Sequence, residues 1–155
     1  MSPRAAWRLD SLGFENVYDY VAGKADWGAM GLPLEGTAGP WVSALADGDV
    51  PTCRLDEPLA EVRERVRASA FETCIVVNEQ RVVLGRLGRQ ALAADDDRTV
   101  EQAMRAGPGT VRPDLSIARA TRRMHERNLT SLLVTRSDGT LVGLLRREDA
   151  EAAAA

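Results

Sequence analysis

Two stretches of the chain repeat one order of apolar and polar positions. Each begins with apolar residues at i, i+3 and i+7, the spacing of a helix with one buried face. The apolar positions are Leu59, Val62 and Val66 in the first stretch and Ile117, Ala120 and Met124 in the second. Two short runs of β-branched and other apolar residues follow each helix, at 74–77 and 81–84 and again at 132–135 and 140–144. The pattern therefore predicts a helix followed by a pair of strands, twice.

A constant shift of 58 positions, as from Thr52 to Thr110, lays residues 41–91 over 99–149 without a gap. Other identical pairs are Arg54 with Arg112, Val76 with Val134, Leu87 with Leu145 and Arg89 with Arg147. Each copy is also predicted to open with a short helix and an extended piece and to close with a helix. The opening helices are Trp41–Ala46 and Val100–Arg105, the extended pieces are Pro51–Leu55 and Gly109–Pro113, and the closing helices begin near Arg89 and Arg147. An internal repeat of this kind predicts one structural unit used twice.

A unit of about 50 residues buries little surface and is only marginally stable alone. The sequence therefore predicts a mixed α/β (α+β) fold in which two pseudo-twofold-related repeats, each a small three-stranded sheet with helices, pack sheet against sheet. The predicted boundaries are 41–94 for the first repeat and 95–155 for the second, with 37–40 as a linker. Residues 1–36 differ in pattern and form a separate segment.

Residues 41–149 resemble a tandem pair of cystathionine β-synthase (CBS) domains, the Bateman module. The resemblance is strongest over residues 128–149, NLTSLLVTRSDGTLVGLLRRED, and it extends to the first copy through the fixed register. The family resemblance implies a non-catalytic regulatory module that senses an adenosine-containing ligand such as AMP, ADP or ATP, and that commonly forms a homodimer. An alternative is a ligand-free structural or oligomerisation module.

The ligand motif of that family is a glycine, two residues, a Ser or Thr, two residues and an Asp, at the last strand-to-helix junction. A glycine lets a ligand approach the backbone, a hydroxyl and a helix N-terminus receive phosphate, and a carboxylate accepts a ribose diol. The second repeat has Gly143, Arg146 and Asp149 at these positions, and the first has Gly85, Gly88 and Ala91. The two clefts are therefore chemically unequal, and we expect at most one adenosine site, near Asp149.

Phosphate recognition in that site is expected to pass to the guanidinium of Arg146, helped by Arg147 and Arg89, since guanidinium binds phosphate bidentately. The cleft walls are expected from the two segments that flank the long helix, namely Thr110, Val111 and Arg112 before it and Leu129, Thr130 and Ser131 after it. A structural alternative stays open: acids in the first turn of a helix stabilise its dipole whether or not a ligand binds.

The first 36 residues predict a helix at Ala5–Gly13, a strand at Asn16–Tyr20 and a helix opening at Gly23–Trp27, which ends at Gly31 and Pro33. This order resembles the C-terminal tail of a rhodanese-like domain. The persulfide-carrying cysteine of that family lies upstream of this helix and has no counterpart in the chain. A remnant of a sulfurtransferase is thus a further alternative function.

Composition narrows the function further. A net charge of −3 with a pI near 5.3 argues against a nucleic-acid platform, and no apolar stretch approaches a membrane span. Cys53 and Cys74 are expected to be buried thiols, and the lone His125 to lie at the border of a helix face. The acidic run at 95–97 is expected to be a solvated loop. We therefore expect a cytoplasmic protein with no catalytic residue, metal or cofactor.

Overall fold

The computed structural model describes residues 3–21, 23–29, 32, 41–94 and 97–154. The predicted linker at 37–40, the predicted helix end at Gly31 and Pro33, and two residues of the acidic run, Asp95 and Asp96, lie outside this range. Within the described residues, every helix is too short or too polar to cross a membrane.

The N-terminal segment contains helix α1 (Pro3–Ser11) and helix α2 (Gly23–Ala29). Both predicted helices are present. The predicted strand at Asn16–Tyr20 is wrong, because this stretch is irregular and pairs with no strand of the described chain. Tyr18 is 82 % exposed, so the β-forming residues here cover no core. Tyr20 instead packs edge-on against Trp27, with ring centroids 5.5 Å apart.

The two repeats contain the predicted elements, but the opening helices are shorter than predicted: the first is a 3₁₀ turn, and the second ends at Ala103, so that Arg105 lies in a strand. The first begins with a 3₁₀ turn at Val42–Ala44 and continues with β1 (Thr52–Cys53), α3 (Leu59–Arg67), β2 (Cys74–Val77), β3 (Val83–Leu87) and α4 (Arg89–Ala93). The second comprises α5 (Val100–Ala103), β4 (Arg105–Ala106), β5 (Thr110–Val111), α6 (Ile117–Glu126), β6 (Ser131–Thr135), β7 (Leu141–Arg146) and α7 (Arg147–Ala154). The apolar faces predicted for α3 and α6 are buried.

Each sheet is extended at one edge by a segment that comes from the other repeat. The order β5-β6-β7 matches the predicted three-stranded sheet, but the other sheet has four strands in the order β1-β2-β3-β4. Strand β4 comes from the start of the second repeat and pairs with β3 of the first. In the same way Asp47, from the start of the first repeat, bridges Leu144 of β7 through two backbone hydrogen bonds of 3.0 Å.

We call residues 41–47 and 99–106 the opening segments. The first carries Val42 into the core of the second repeat, where it packs with Ile117 and Met124. The second carries Val100 into the core of the first repeat, beside Leu59. Both valines are fully buried. Each repeat therefore completes its hydrophobic core with the opening segment of the other.

An approximate twofold axis passes between Val82 and Thr140, which are 58 positions apart and form a bridge with each other. The Val83 amide donates to the Gly139 carbonyl at 3.1 Å, and Leu141 donates to the carbonyl of Arg81 at 2.9 Å, so the two bonds are related by the same axis. Buried side chains from both sheets fill the interface: Val50, Ile75, Val77, Leu133, Leu141 and Leu144. The predicted packing of sheet against sheet is confirmed.

Candidate functional site

Two adjoining cavities lie where the repeats meet. The first cavity, of about 540 Å³, is lined by residues 70–73, Arg86 and Arg89 of the first repeat and by Thr130, Ser131 and Arg146 of the second. The second cavity, of about 520 Å³, lies between residues 105–109, the end of α6 with residues 129–133, and the end of β3. Arg86, Gly88 and Ser131 line both cavities. Each cavity is large enough for a small-molecule ligand.

The side chain of Arg146 spans the first cavity from the second repeat to the first. Strand β7 ends at Arg146 and α7 begins at Arg147, so Arg146 lies at the junction of strand and helix. Its guanidinium lies 4.4 Å from the centre of the Phe71 ring and donates to the Ala70 carbonyl at 3.0 Å. Glu148 lies 3.7 Å away. The residue that replaces the family's hydroxyl therefore binds across the interface between the repeats.

Arg86 occupies the boundary between the two cavities. Its Nε donates to the Thr73 hydroxyl at 2.9 Å and its Nη2 to the Ser131 hydroxyl at 3.0 Å. Among the described residues no carboxylate pairs with it, and burial lowers the pKa of Arg86. A partly desolvated cation that bonds only to hydroxyl groups favours a negatively charged ligand. Arg89 is less available, since it pairs with Glu72.

Four of the residues proposed from the sequence line the first cavity, namely Arg89, Thr130, Ser131 and Arg146. Arg147 lines neither cavity and lies 3.7 Å from Glu151. Leu129 lines the second cavity instead. Asp149 is exposed in the first turn of α7, next to the cavity-lining Glu148, and does not itself line either cavity. The predicted set is therefore divided among the first cavity, the second cavity and positions that line neither.

The three residues before α6 lie elsewhere. Thr110 and Val111 form β5, which pairs in parallel with β6, and Val111 is buried in the core. Arg112 donates to the backbone carbonyl of Arg136 and approaches Thr135 at 3.4 Å. None of the three lines either cavity. Their separation from Arg146 follows from the twofold packing, because the end of β7 faces the first repeat rather than its own.

The motif glycines, Gly85 and Gly143, allow neighbouring segments of the chain to pack closely against them. A Cβ on Gly143 would lie 2.6 Å from the Asp47 carbonyl oxygen and 2.8 Å from its carbon. A Cβ on Gly85 would lie 2.3 Å from the sulfur of Met104. Each glycine thus leaves room for the opening segment of the other repeat. The sequence analysis instead expected Gly143 to make room for a ligand. It missed the opening segment because the exchange of segments between repeats is not visible in the sequence.

Sequence reasoning missed Phe71 and Arg86. Arg86 occupies the position that corresponds to the buried Leu144 under the 58-residue shift. The sequence did contain a signal for Arg86, because a charged residue stands where the other repeat has a buried apolar one. Phe71 gave none, because the turn in which it lies has no regular pattern.

The remaining candidate groups lie apart from the cavities. Cys53 and Cys74 are buried free thiols, as expected, and a hydrogen bond of the protonated Cys53 thiol with Cys74, together with burial, raises the pKa of Cys53. His125 is exposed on α6 and lies 3.1 Å from Glu151. Within the part of the chain that the structure covers, His, Cys, Asp and Glu form no group of three that could hold a metal ion.

Comparison with known proteins identifies the fold. Residues 100–154 match the family model of the CBS domain. No curated protein matches the sequence. Among solved structures, CBSX2 in complex with AMP is similar with a TM-score of 0.68 at 19 % identity, over 75 % of this chain and 96 % of that one.

Two further structures share the fold. The CBS domain pair of MJ0100, in complex with 5′-methylthioadenosine and S-adenosyl-L-methionine, has a TM-score of 0.65 at 17 % identity, over 74 % of this chain and 95 % of that one. The cytosolic domain of the Mg²⁺ channel MgtE, in complex with ATP, has a TM-score of 0.67 at 24 % identity, over 73 % of this chain. This chain covers 48 % of that structure, so it corresponds to about half of its length.

Proposed function

We propose that this chain, whose two repeats have the fold of a CBS domain pair, is a regulatory module that binds an adenosine-containing ligand bearing phosphate. The first cavity is the proposed site. It is lined by Arg86, Arg89 and Arg146 and by the hydroxyl groups of Thr130 and Ser131. The observation that carries the proposal is Arg86, a partly buried cation between the repeats with hydroxyl partners only.

The ligand class comes from the fold and from the cavity together. Similar CBS structures hold AMP, ATP, or S-adenosyl-L-methionine with 5′-methylthioadenosine, all of which contain adenosine. In this chain the guanidinium of Arg146 takes the position of the family's hydroxyl and would receive phosphate bidentately. Asp149, in the first turn of α7, would accept the ribose diol beside it. Phe71, already stacked by Arg146, supplies an apolar wall.

Calorimetry on the full chain tests this site with AMP, ADP, ATP, S-adenosylmethionine and adenosine. We expect one ligand to bind below millimolar concentration. Asp149→Ala should weaken every adenosine ligand, whereas Arg146→Gln should weaken AMP more than adenosine. Asp114→Ala is the matched control, because Asp114 is an exposed aspartate in the segment before α6, apart from both cavities, whereas Asp149 adjoins Glu148 of the first cavity. Failure of all five ligands, or equal effects of Asp149→Ala and Asp114→Ala, would contradict the proposal.

One observation favours a second function, a ligand-free structural module. Arg146 contacts both Phe71 and the Ala70 carbonyl of the other repeat, so it also acts as a link between the repeats. In that case Arg146→Gln lowers the free energy of unfolding while no ligand binds. Homodimer formation is a further part of both proposals, and sedimentation equilibrium of the full chain measures it directly.

A further inference from the structure

The exposed faces of α3 and α6 carry opposite charges at corresponding positions. Under the 58-residue shift, Glu61 of α3 corresponds to Arg119 of α6, and Glu64 corresponds to Arg122. All four residues are exposed, on the sides of the helices that do not face the core. Residues three apart on a helix are neighbours on its surface, so each helix presents a pair of like charges. The two pseudo-equivalent helices thus differ in the sign of the charge on their outer faces.

Most of these charges have no partner within the chain. Among residues 3–21, 23–29, 32, 41–94 and 97–154, no carboxylate pairs with Arg119 or Arg122, and no cation pairs with Glu61. Glu64 pairs with Arg67 at 2.5 Å, and both side chains are largely exposed. A surface pair of this kind contributes little free energy, so Glu64 can still meet a cation of another molecule.

The other arginines of α3 bind groups of their own repeat. Arg65 pairs with Glu57 at 2.6 Å and donates to the Thr52 carbonyl at 2.7 Å. Arg63 donates to the carbonyl of Ala94. The two glutamates therefore dominate the charge in the middle of the outer face of α3.

The last turn of each helix reverses the signs. Arg67 is exposed at the end of α3, and Glu126 is exposed at the end of α6. The outer face of α3 therefore runs from negative to positive, while that of α6 runs from positive to negative. The two faces are complementary to each other, and neither is complementary to itself.

The approximate twofold axis allows a second copy to dock on both helices in two ways. Each sheet packs against the other sheet on one face and against its own helices on the other, so α3 and α6 lie on the outside. One arrangement places α3 on α3 and α6 on α6, and the other places α3 on α6 in both contacts. Because the repeats share one fold, the two arrangements are similar in backbone shape, and the side chains decide between them.

The charges favour the second arrangement. Pairing each helix with its own copy brings glutamate to glutamate and arginine to arginine, whereas pairing α3 with α6 brings glutamate to arginine twice. Complementary charges across an interface attract, and opposed like charges exclude the wrong orientation. Among the residues that the structure describes, the exposed large hydrophobic side chains lie at positions 7–32, before the first repeat. A contact between α3 and α6 therefore depends on charge and is sensitive to salt.

We propose that two copies of this chain associate head to tail, with α3 of each copy against α6 of the other. Glu61 and Glu64 on one helix and Arg119 and Arg122 on the other determine this orientation. The inference rests on the homodimer of the proposed function, to which it adds the interface, and it does not depend on the ligand.

Sedimentation equilibrium of the full chain at low salt tests the interface by charge reversal. Exposed ion pairs each contribute a factor of about two to five, so Glu61→Arg with Glu64→Arg should weaken the dimer by about tenfold or more. Arg119→Glu with Arg122→Glu should do the same. All four substitutions together should restore the dimer, because the signs are merely exchanged. The matched control is Glu15→Arg with Glu79→Arg, which changes the net charge equally at two exposed glutamates away from both helices.

Cross-linking measures the orientation directly. Ala60 and Ala118 are exposed beside the charged pairs, on α3 and α6 respectively, and the native cysteines are buried. A short bis-maleimide should link the variant Ala60→Cys to the variant Ala118→Cys in a mixture. In the head-to-tail dimer neither variant alone should be linked.

The proposal is overturned if the chain remains monomeric up to millimolar concentration, or if the control variant weakens the dimer as much as the reversal on α3. It is also overturned if the fourfold variant does not recover the dimer, or if Ala60→Cys is cross-linked on its own. Failure of the adenosine site gives a different result, because calorimetry reports AMP binding whether or not the chain dimerises.

Discussion

Substituting alanine for Gly143 separates the two roles that this glycine could have. If it makes room for a ligand, Gly143→Ala weakens binding and leaves the fold stable. If it makes room for the opening segment, the same change destabilises the fold. The structure predicts the second outcome, because the new Cβ would lie 2.6 Å from a backbone oxygen and 2.8 Å from a backbone carbon of Asp47.

The size of the effect follows from what must move. Overpacking of a tightly packed site costs about 1–3 kcal/mol. Displacing Asp47 also strains its two hydrogen bonds with Leu144, each of which contributes about 1 kcal/mol net. The lower entropy of alanine in the unfolded chain returns about 0.4–1 kcal/mol. We therefore expect Gly143→Ala to lower the free energy of unfolding by about 2–3 kcal/mol, or about 5–10 °C in Tm.

Gly85→Ala is an internal control at the pseudo-equivalent position. There the closest atom is the sulfur of Met104, near the end of a flexible side chain that can change rotamer, so we expect a loss of only about 1 kcal/mol. Urea denaturation of both variants, followed by circular dichroism, measures the difference. Equal stability of the two variants would refute the packing argument. A Gly143→Ala variant that is stable but no longer binds AMP would assign the glycine to the ligand.

Three further predictions concern the core and its titrating groups. Val42→Ala and Val100→Ala should each cost about 2 kcal/mol in one shared urea transition, and separate transitions for the two repeats would contradict the exchange of segments. Burial opposes ionisation of Glu57, but its hydrogen bonds outweigh this and lower its pKa, so its contribution to stability is present above pH about 4.3 and is lost as the pH falls through the folded-state pKa. Glu57→Gln should therefore be less stable at neutral pH and decline less steeply on acidification, which a pH series of thermal melts measures. Cys53 and Cys74 should react with a thiol reagent only after unfolding, and rapid labelling of the native chain would contradict their burial.

The sequence predicted most of the fold because both repeats have strong periodic patterns. The apolar faces of α3 and α6 and the β-branched runs after them locate helices and strands, and the constant register between copies predicts the twofold packing. The strand predicted at Asn16–Tyr20 was wrong, since β-forming residues become a strand only where another strand is available for pairing. The fourth strand, β4, escaped prediction because it is two residues long and pairs across the repeats.

The site was predicted less completely, and the reason is geometric. Thr130, Ser131 and Arg146 do line one cavity, but the segment before α6 was assigned to the same cleft because it is close in sequence. The twofold axis instead brings the end of β7 to the turn before β2, which contains Phe71. The repeat pattern in the sequence does not indicate which of the two repeats supplies each wall of the cavity.

The reciprocal exchange of opening segments bears on the ancestry of the chain. In an ancestor with a single repeat, the core would lack the opening segment of another repeat and the valine that this segment carries. A second identical copy of the protein would supply both. Such a protein would assemble as an intertwined dimer, and gene duplication followed by fusion would join two subunits that already depended on each other. The two halves could then diverge in sequence, as the contrast between Ala91 and Asp149 illustrates.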